Sequence, residues 1–267
     1  MSNDLQQIEQ ASSSSDDNPL RPKNFILAIG VVALCTASLA CWLLFMELIF
    51  GKVRGAKELA AYSDVTVLGS LPKDGALPPD EEKDVLGVVA LNYGKTPLPK
   101  GTVLVCRLPG SDPQPKFQSA LDWSLSMGGL RQFTLNVVPS LGFEPPADAS
   151  PMINAVRKGS VGWFPVENRY SLAPAEQQML QADIEALRAD FDCVFIFMPD
   201  GIRRGGSFFE QLLGVSDSVV IEVGADKTPR SWLAYARNCV IAVDRPMMGL
   251  VTDASASVVR KEMNKHK

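Results

Sequence analysis

The run FILAIGVVALCTASLACWLLFM, Phe25 to Met46, carries no charged residue over 22 positions. About 20 apolar residues in a helix cross the hydrocarbon core of a bilayer. A cleaved signal peptide has a shorter apolar core, closer to the N-terminus. A lipoprotein signal ending at Cys41 is suggested by Ser38-Leu39-Ala40-Cys41, but Ser38 stands where a branched apolar residue is required, and the run continues through Trp42-Leu43-Leu44-Phe45-Met46. Residues 24–50 are therefore read as one uncleaved transmembrane helix. Arg21 and Lys23 precede it; Lys52, Arg54 and Lys57 follow it. That excess of three cations to two favours a cytoplasmic C-terminal side. Ala33, Ala37 and Cys41 recur every four residues, which makes a small-residue face on which another helix, or a second copy of the span, can pack. Chance is an equal account, since alanine is common in spans.

The rest of the chain limits what can be attached to that helix. The net charge of −4 gives no reason to expect a nucleic-acid partner. The one histidine, His266, is next to last, so neither a histidine triad nor a multi-histidine metal site can form. The five cysteines, at 35, 41, 106, 193 and 239, include no C-x-x-C pair and fit buried thiols in a reducing compartment.

Residues 1–23, with Ser12 to Asp17 reading SSSSDD, are expected to be a disordered tail. Residues 51–83 read as a connector: a basic-to-apolar stretch to Pro72, then a loop rich in Pro, Gly and charge. Residues 84–267 then alternate. Strands are expected at 101–108, 131–138, 160–166, 192–198, 217–223 and 239–243. Helices are expected at 119–129, 172–191 (Pro174 in the first turn; Met179, Ile184 and Leu187 on the apolar face), 207–214, 229–238 and 254–264. Short apolar strands between helices predict an α/β fold, a mostly parallel sheet covered on both faces.

In such a sheet a ligand lies at the carboxyl ends of the strands. The first strand runs into Gly110-Ser-Asp-Pro-Gln-Pro115-Lys116-Phe117. A phosphate loop reads G-x-x-x-x-G-K-[ST]. Gly110 and Lys116 keep that spacing, but Pro115 replaces the second glycine and Phe117 the hydroxyl. Proline has no N–H for phosphate, and phenylalanine cannot hold Mg²⁺. The second strand carries Asn136 and Val138 where acids would assist Mg²⁺ and phosphate. The strand FDCVFIFM has Phe197 where a metal-binding acid would stand. Asp200 is the one nearby substitute, and an Asp there is read first as the start of a turn.

These residues resemble the C-terminal part of bacterial polysaccharide co-polymerases, the chain-length determinant and exopolysaccharide transport proteins, fused to a bacterial tyrosine-kinase domain. Pro22-Lys23 precedes the span, Glu47 ends it, and Glu58-Leu59 with Val67-Leu-Gly-Ser-Leu-Pro72 follow. FDCVFIFMPDG is similar to that family's "fDyViiDtPP" strand, and Asp217 in SDSVVIEV stands where the family has "aD.vilVv". The resemblance covers roughly residues 20–250, by pattern rather than identity. It implies a P-loop-NTPase-like sheet on the cytoplasmic side of a bacterial inner membrane. The departures are a lack of the long periplasmic coiled coil, of a first membrane span and of a tail tyrosine cluster, together with the replaced motif residues. The expectation is a non-catalytic component of exopolysaccharide or capsule synthesis and export, with Gly110, Lys116, Asn136, Phe197 and Asp200 as the remains of a nucleotide site and with no catalytic residue, metal or cofactor. Its partners would be a co-polymerase, a transporter or an active kinase. The rival is a divergent ATP-binding kinase or ATPase that uses Lys116 with Mg-ATP.

Overall fold

The computed structural model describes residues 22–63, 65–96, 100–111, 117–118, 129–139, 161–166, 171–198 and 207–264. The tail at 1–21, residues 119–128 of the helix expected at 119–129, and Lys116, Pro113, Pro115 and Asp200 lie outside these residues.

Two compact units divide at Ile49/Phe50. In the first, helix α1 (Pro22–Phe50) contains the apolar run. Its stretch Phe25–Glu47 has a mean hydropathy of 2.3, long and apolar enough to cross a membrane. Ala33, Ala37 and Cys41 are exposed on it.

The second unit holds α2 (Ala56–Ser63), β1 (Thr66–Pro72), α3 (Pro79–Gly94), β2 (Gly101–Arg107), β3 (Gln132–Pro139), β4 (Val161–Val166), α4 (Pro174–Asp190), β5 (Cys193–Met198), α5 (Phe208–Gly214), β6 (Ser218–Gly224), α6 (Arg230–Ala242), β7 (Met247–Ala254) and α7 (Ala256–Met263). The seven strands form one sheet in the order β1-β7-β6-β2-β5-β3-β4. Every neighbouring pair is parallel. Each strand of the middle is buried on both faces, β6 at every position, which is why its sequence is a continuous apolar run. The connections from β4 through β5, β6 and β7 step in one direction, so right-handed crossovers put α4, α5 and α6 on one face. The step from β1 back to β2 runs the other way. It puts α3 on the opposite face, where α7 joins it against β1, and Tyr93 of α3 meets Phe195 of β5 at 5.9 Å between rings.

Three expectations change. Residues 51–83 are more than a connector: they hold α2, the start of α3 and β1, which pairs with β7 as an edge strand of the sheet. Residues 239–243 form no strand. Cys239 to Ala242 close helix α6, whose buried Leu233, Ala236 and Val240 keep the helical period. The strand lies after it, at β7. In α4, the buried stripe is Leu180, Ile184 and Leu187, and Met179 is exposed; positions 180, 184 and 187 share one face by the i, i+4, i+7 rule. That helix starts at Pro174, with the Ala173 N–H donating to Glu176 Oε2 at 2.8 Å.

Candidate functional site

The chain leaves β2 for β3 on one side and later crosses back over β2, from β5 to β6. The strand order reverses there, so the carboxyl end of β2 is where a doubly wound sheet places its ligand. The residues at that end are packed against each other. The Leu108 N–H donates to the Glu222 carbonyl at 2.9 Å, and the Ser111 N–H turns back to the Leu108 carbonyl at 3.1 Å. Ser111 Oγ donates to the same carbonyl at 2.9 Å. Gly110 sits at φ +94°, and a Cβ on it would stand 2.8 Å from the Lys227 carbonyl oxygen. A Cβ on Gly224 would stand 2.6 Å from the Gly110 oxygen. The loop after β2 and the turn after β6 thus touch backbone to backbone, a contact that only glycine allows. The amides of Leu108 and Ser111 are spent inside the protein, and Pro109 has none.

Phe117 is fully buried, among the largest enclosed side chains of the core. Asn136 on β3 is half-buried; its register partners are Phe197 of β5 and Trp163 of β4. Phe197 in turn pairs with Val105 of β2. It is half-buried and packs against the core. Gly110, Asn136 and Phe197 therefore do lie along the carboxyl half of the sheet, as their motif positions require. Val138, at the end of β3, is half-buried too.

The sequence reading passed over the charged pair beneath this edge. Arg107 and Glu222 are register partners on β2 and β6, with Arg107 Nε 3.9 Å from Glu222 Oε2 and only 4% of the Glu222 side chain exposed. Burial pushes the Glu222 carboxyl up to about 8, against the opposing pull of the Arg107 guanidinium. The signal was present: one acid inside the buried run SVVIEVG. Beyond it, Lys227 Nζ lies 3.0 Å from Asp253 Oδ2.

Neither a protein-family model nor a curated protein sequence matches the chain. Solved structures do. The BceF tyrosine kinase domain aligns at a TM-score of 0.50 and 10% identity, over 75% of this chain and 98% of that one. The kinase domain of the Escherichia coli tyrosine kinase ETK aligns at 0.52 and 9% identity, over 74% and 92%. The chimerical protein CapA2B2 aligns at 0.52 and 10%, over 74% and 99%. The sheet has the fold of a bacterial tyrosine-kinase domain.

In this kinase-type fold the two aspartates that open the signature strands act as clips at the amino edge of the sheet. Asp192 Oδ2 accepts the Arg131 N–H at 2.9 Å, which joins the start of β5 to the start of β3 and holds the Asp192 carboxyl below its ordinary range. Asp217 Oδ2 accepts the Thr102 N–H at 2.8 Å and the Arg188 guanidinium of α4, which also donates to Thr102 Oγ1 at 2.8 Å. Both pairs fix strand register rather than ligand. At the carboxyl edge, Phe117 is enclosed in the core at the position of the motif's hydroxyl, Phe197 places a hydrocarbon ring at the position of its acid, and Gly110 is pressed onto the Lys227 carbonyl.

Proposed function

We propose that this chain is a membrane-anchored, non-catalytic component of exopolysaccharide or capsule synthesis and export. Its kinase-type domain, held at the inner membrane by α1 on the cytoplasmic side, docks or regulates a co-polymerase, a transporter or an active kinase. The observation that carries the loss of catalysis is the burial of Phe117. A side chain enclosed there takes the place of the group that would reach a metal ion. The pathway rests on the likeness to tyrosine-kinase domains and on the span-to-domain join Glu58-Leu59 to Pro72.

The same likeness favours the rival, an ATP-binding kinase, and calorimetry separates the two. The full-length protein in detergent micelles is titrated with Mg-ATP. Two or three lost charge-assisted contacts, at about 1.5–3 kcal/mol each, weaken binding on the order of a hundredfold or more, so no micromolar binding is expected. Micromolar, Mg-dependent binding that Lys116→Ala abolishes would overturn the proposal in favour of the kinase. Loss or shortening of surface polysaccharide on deleting the gene tests the pathway.

A further inference from the structure

The second unit begins with a short strap, Gly51 to Arg54, and the fold fixes that strap bond by bond. The Arg230 N–H donates to the Gly51 carbonyl at 2.9 Å, the Val53 N–H to the Thr228 carbonyl at 3.0 Å, and the Asp226 N–H to the Val53 carbonyl at 2.8 Å. Lys52 forms an antiparallel bridge with Pro229. Extended backbone sends successive side chains to opposite sides. Gly51 and Val53 are accordingly buried, whereas Lys52 and Arg54 are exposed. Lys57, in the first turn of α2, is exposed as well.

The acids around the strap are turned to other partners. Glu58 Oε1 is paired with Arg230, and only 21% of the Glu58 side chain is exposed. Its Oε2 takes the Arg54 N–H at 2.8 Å. Asp253 takes Lys227 Nζ at 3.0 Å. On the strap, the first turn of α2 and the turn 226–230, the exposed cations Lys52, Arg54 and Lys57 therefore face one exposed acid outside these pairs, Asp226. The chain itself limits how far they lie from the apolar stretch that ends at Glu47. Helix α1 continues to Phe50, two residues before Lys52. At about 1.5 Å per helical residue and at most about 3.5 Å per extended one, no more than about 12 Å of chain separates Glu47 from Lys52. A headgroup layer is about 5–7 Å thick, and charges act over a further Debye length of about 8 Å at physiological salt.

We propose that the strap and the start of α2 form a docking surface for anionic lipid headgroups, with Lys52, Arg54 and Lys57 holding their phosphates. The inference rests on the proposed anchoring of α1 in a bilayer. It goes beyond the charge bias that orients the helix, because a bias needs only a count of cations, whereas docking needs them held outward. The backbone bonds of Gly51 and Val53 do that. Each lysine or arginine near an anionic surface is worth about a fivefold preference. Asp226 offsets one of the three, so a preference on the order of tenfold over zwitterionic lipid is expected.

The test uses Trp42, the tryptophan inside the apolar stretch. The full-length protein is reconstituted in phosphatidylcholine vesicles that contain a minor fraction of brominated phosphatidylglycerol or of brominated phosphatidylcholine, and quenching of Trp42 reports which lipid gathers beside the chain. Stronger quenching by the anionic lipid is expected at about 0.05 M salt, with the preference largely gone at about 0.5 M. Lys52→Gln with Arg54→Gln should remove most of the preference. Lys52→Arg with Arg54→Lys, which keeps both charges, should retain it, and so should Lys261→Gln on α7. If the glutamine variant does not fold, the salt dependence of the wild type decides. Equal quenching by the two lipids, or a preference that the glutamine variant or high salt leaves intact, overturns the proposal. Quenching by neither lipid overturns the anchoring of α1 as well.

Discussion

Glu222→Gln should make the domain more stable at pH 8 and nearly insensitive to pH between 5.5 and 8. An unfolded glutamate ionises near pH 4.5, whereas folded Glu222 keeps its proton to about 8. Between those values the folded state binds one more proton than the unfolded state, so stability falls as pH rises. The contribution is present in full below about 4.5, is lost progressively and is gone above about 8. Each pH unit within the window is worth about 1.4 kcal/mol, so from 5.5 to 8 wild type should lose about 3 kcal/mol. For a domain of this size that is a fall in Tm on the order of 6–12 °C. Glutamine keeps the shape of the protonated acid and has no proton to lose. The assay is tryptophan fluorescence melting of the full-length protein in detergent at half-unit steps of pH, with Glu82→Gln, an acid in the first turn of α3, as control. Parallel pH profiles for wild type and Glu222→Gln would refute the reasoning: Glu222 would then be ionised in the fold, with Arg107 compensating its burial.

Gly110→Ala should cost about 1–3 kcal/mol by melting, and clearly more than Gly75→Ala: both have positive φ, but only Gly110 meets backbone, whereas nothing lies within 4 Å of a Cβ at Gly75. Asp217→Ala should cost about 1–2 kcal/mol, because it leaves the Thr102 N–H and Arg188 without their acceptor in a partly exposed site; an unchanged Tm would deny its role as a clip. Phe197→Asp should lower the Tm by several degrees and Mg-ATP should not restore it, while Phe197→Leu should cost about 1 kcal/mol. Stabilisation of Phe197→Asp by Mg-ATP would show a working nucleotide pocket. A reporter fused at the C-terminus should be active on the cytoplasmic side only, and activity confined to the periplasm would reverse the orientation of α1.

The sheet was legible because its middle strands are buried on both faces. CVFIFM and SVVIEVG leave no polar alternation to confuse with helix. β1 was not legible in the same way: it is an edge strand of seven residues with a glycine in the middle and proline at the end, and outside a sheet TVLGSLP has the composition of a turn. Cys239 to Val243 misled in the opposite direction. Its β-branched residues have strand propensity, yet the register of Leu233, Ala236 and Val240 against the core carries the helix on to Ala242, and left-handed Asp244 follows its cap. Tertiary burial outweighed local preference. At the site, the pattern of replaced residues could be read from the motif spacing alone. What no spacing could show is that Gly110 would be pressed onto a second backbone, that Glu222 would be enclosed with Arg107, or that Asp192 and Asp217 would be spent on register.

On the proposed non-catalytic reading, packing also stands against restoring the motif residues of a phosphate loop. In an open loop, a phenylalanine at 117 would be a surface side chain and serine could return at little cost. Enclosed as it is, Phe117 contributes as a core residue. Truncating a buried phenylalanine costs about 3–5 kcal/mol, against about 5–15 kcal/mol for the stability of a whole domain. Serine adds a hydroxyl to a site now built of hydrocarbon. Phe197 presents the same barrier in milder form, since an acid there would lie beside Val105 with no metal ion to balance it. Each step back toward a metal site destabilises the fold before any binding can repay it, because one restored ligand without the others holds no metal. The two aromatic residues thus do more than occupy the positions of missing ligands: they are part of what now holds the carboxyl edge of the sheet together.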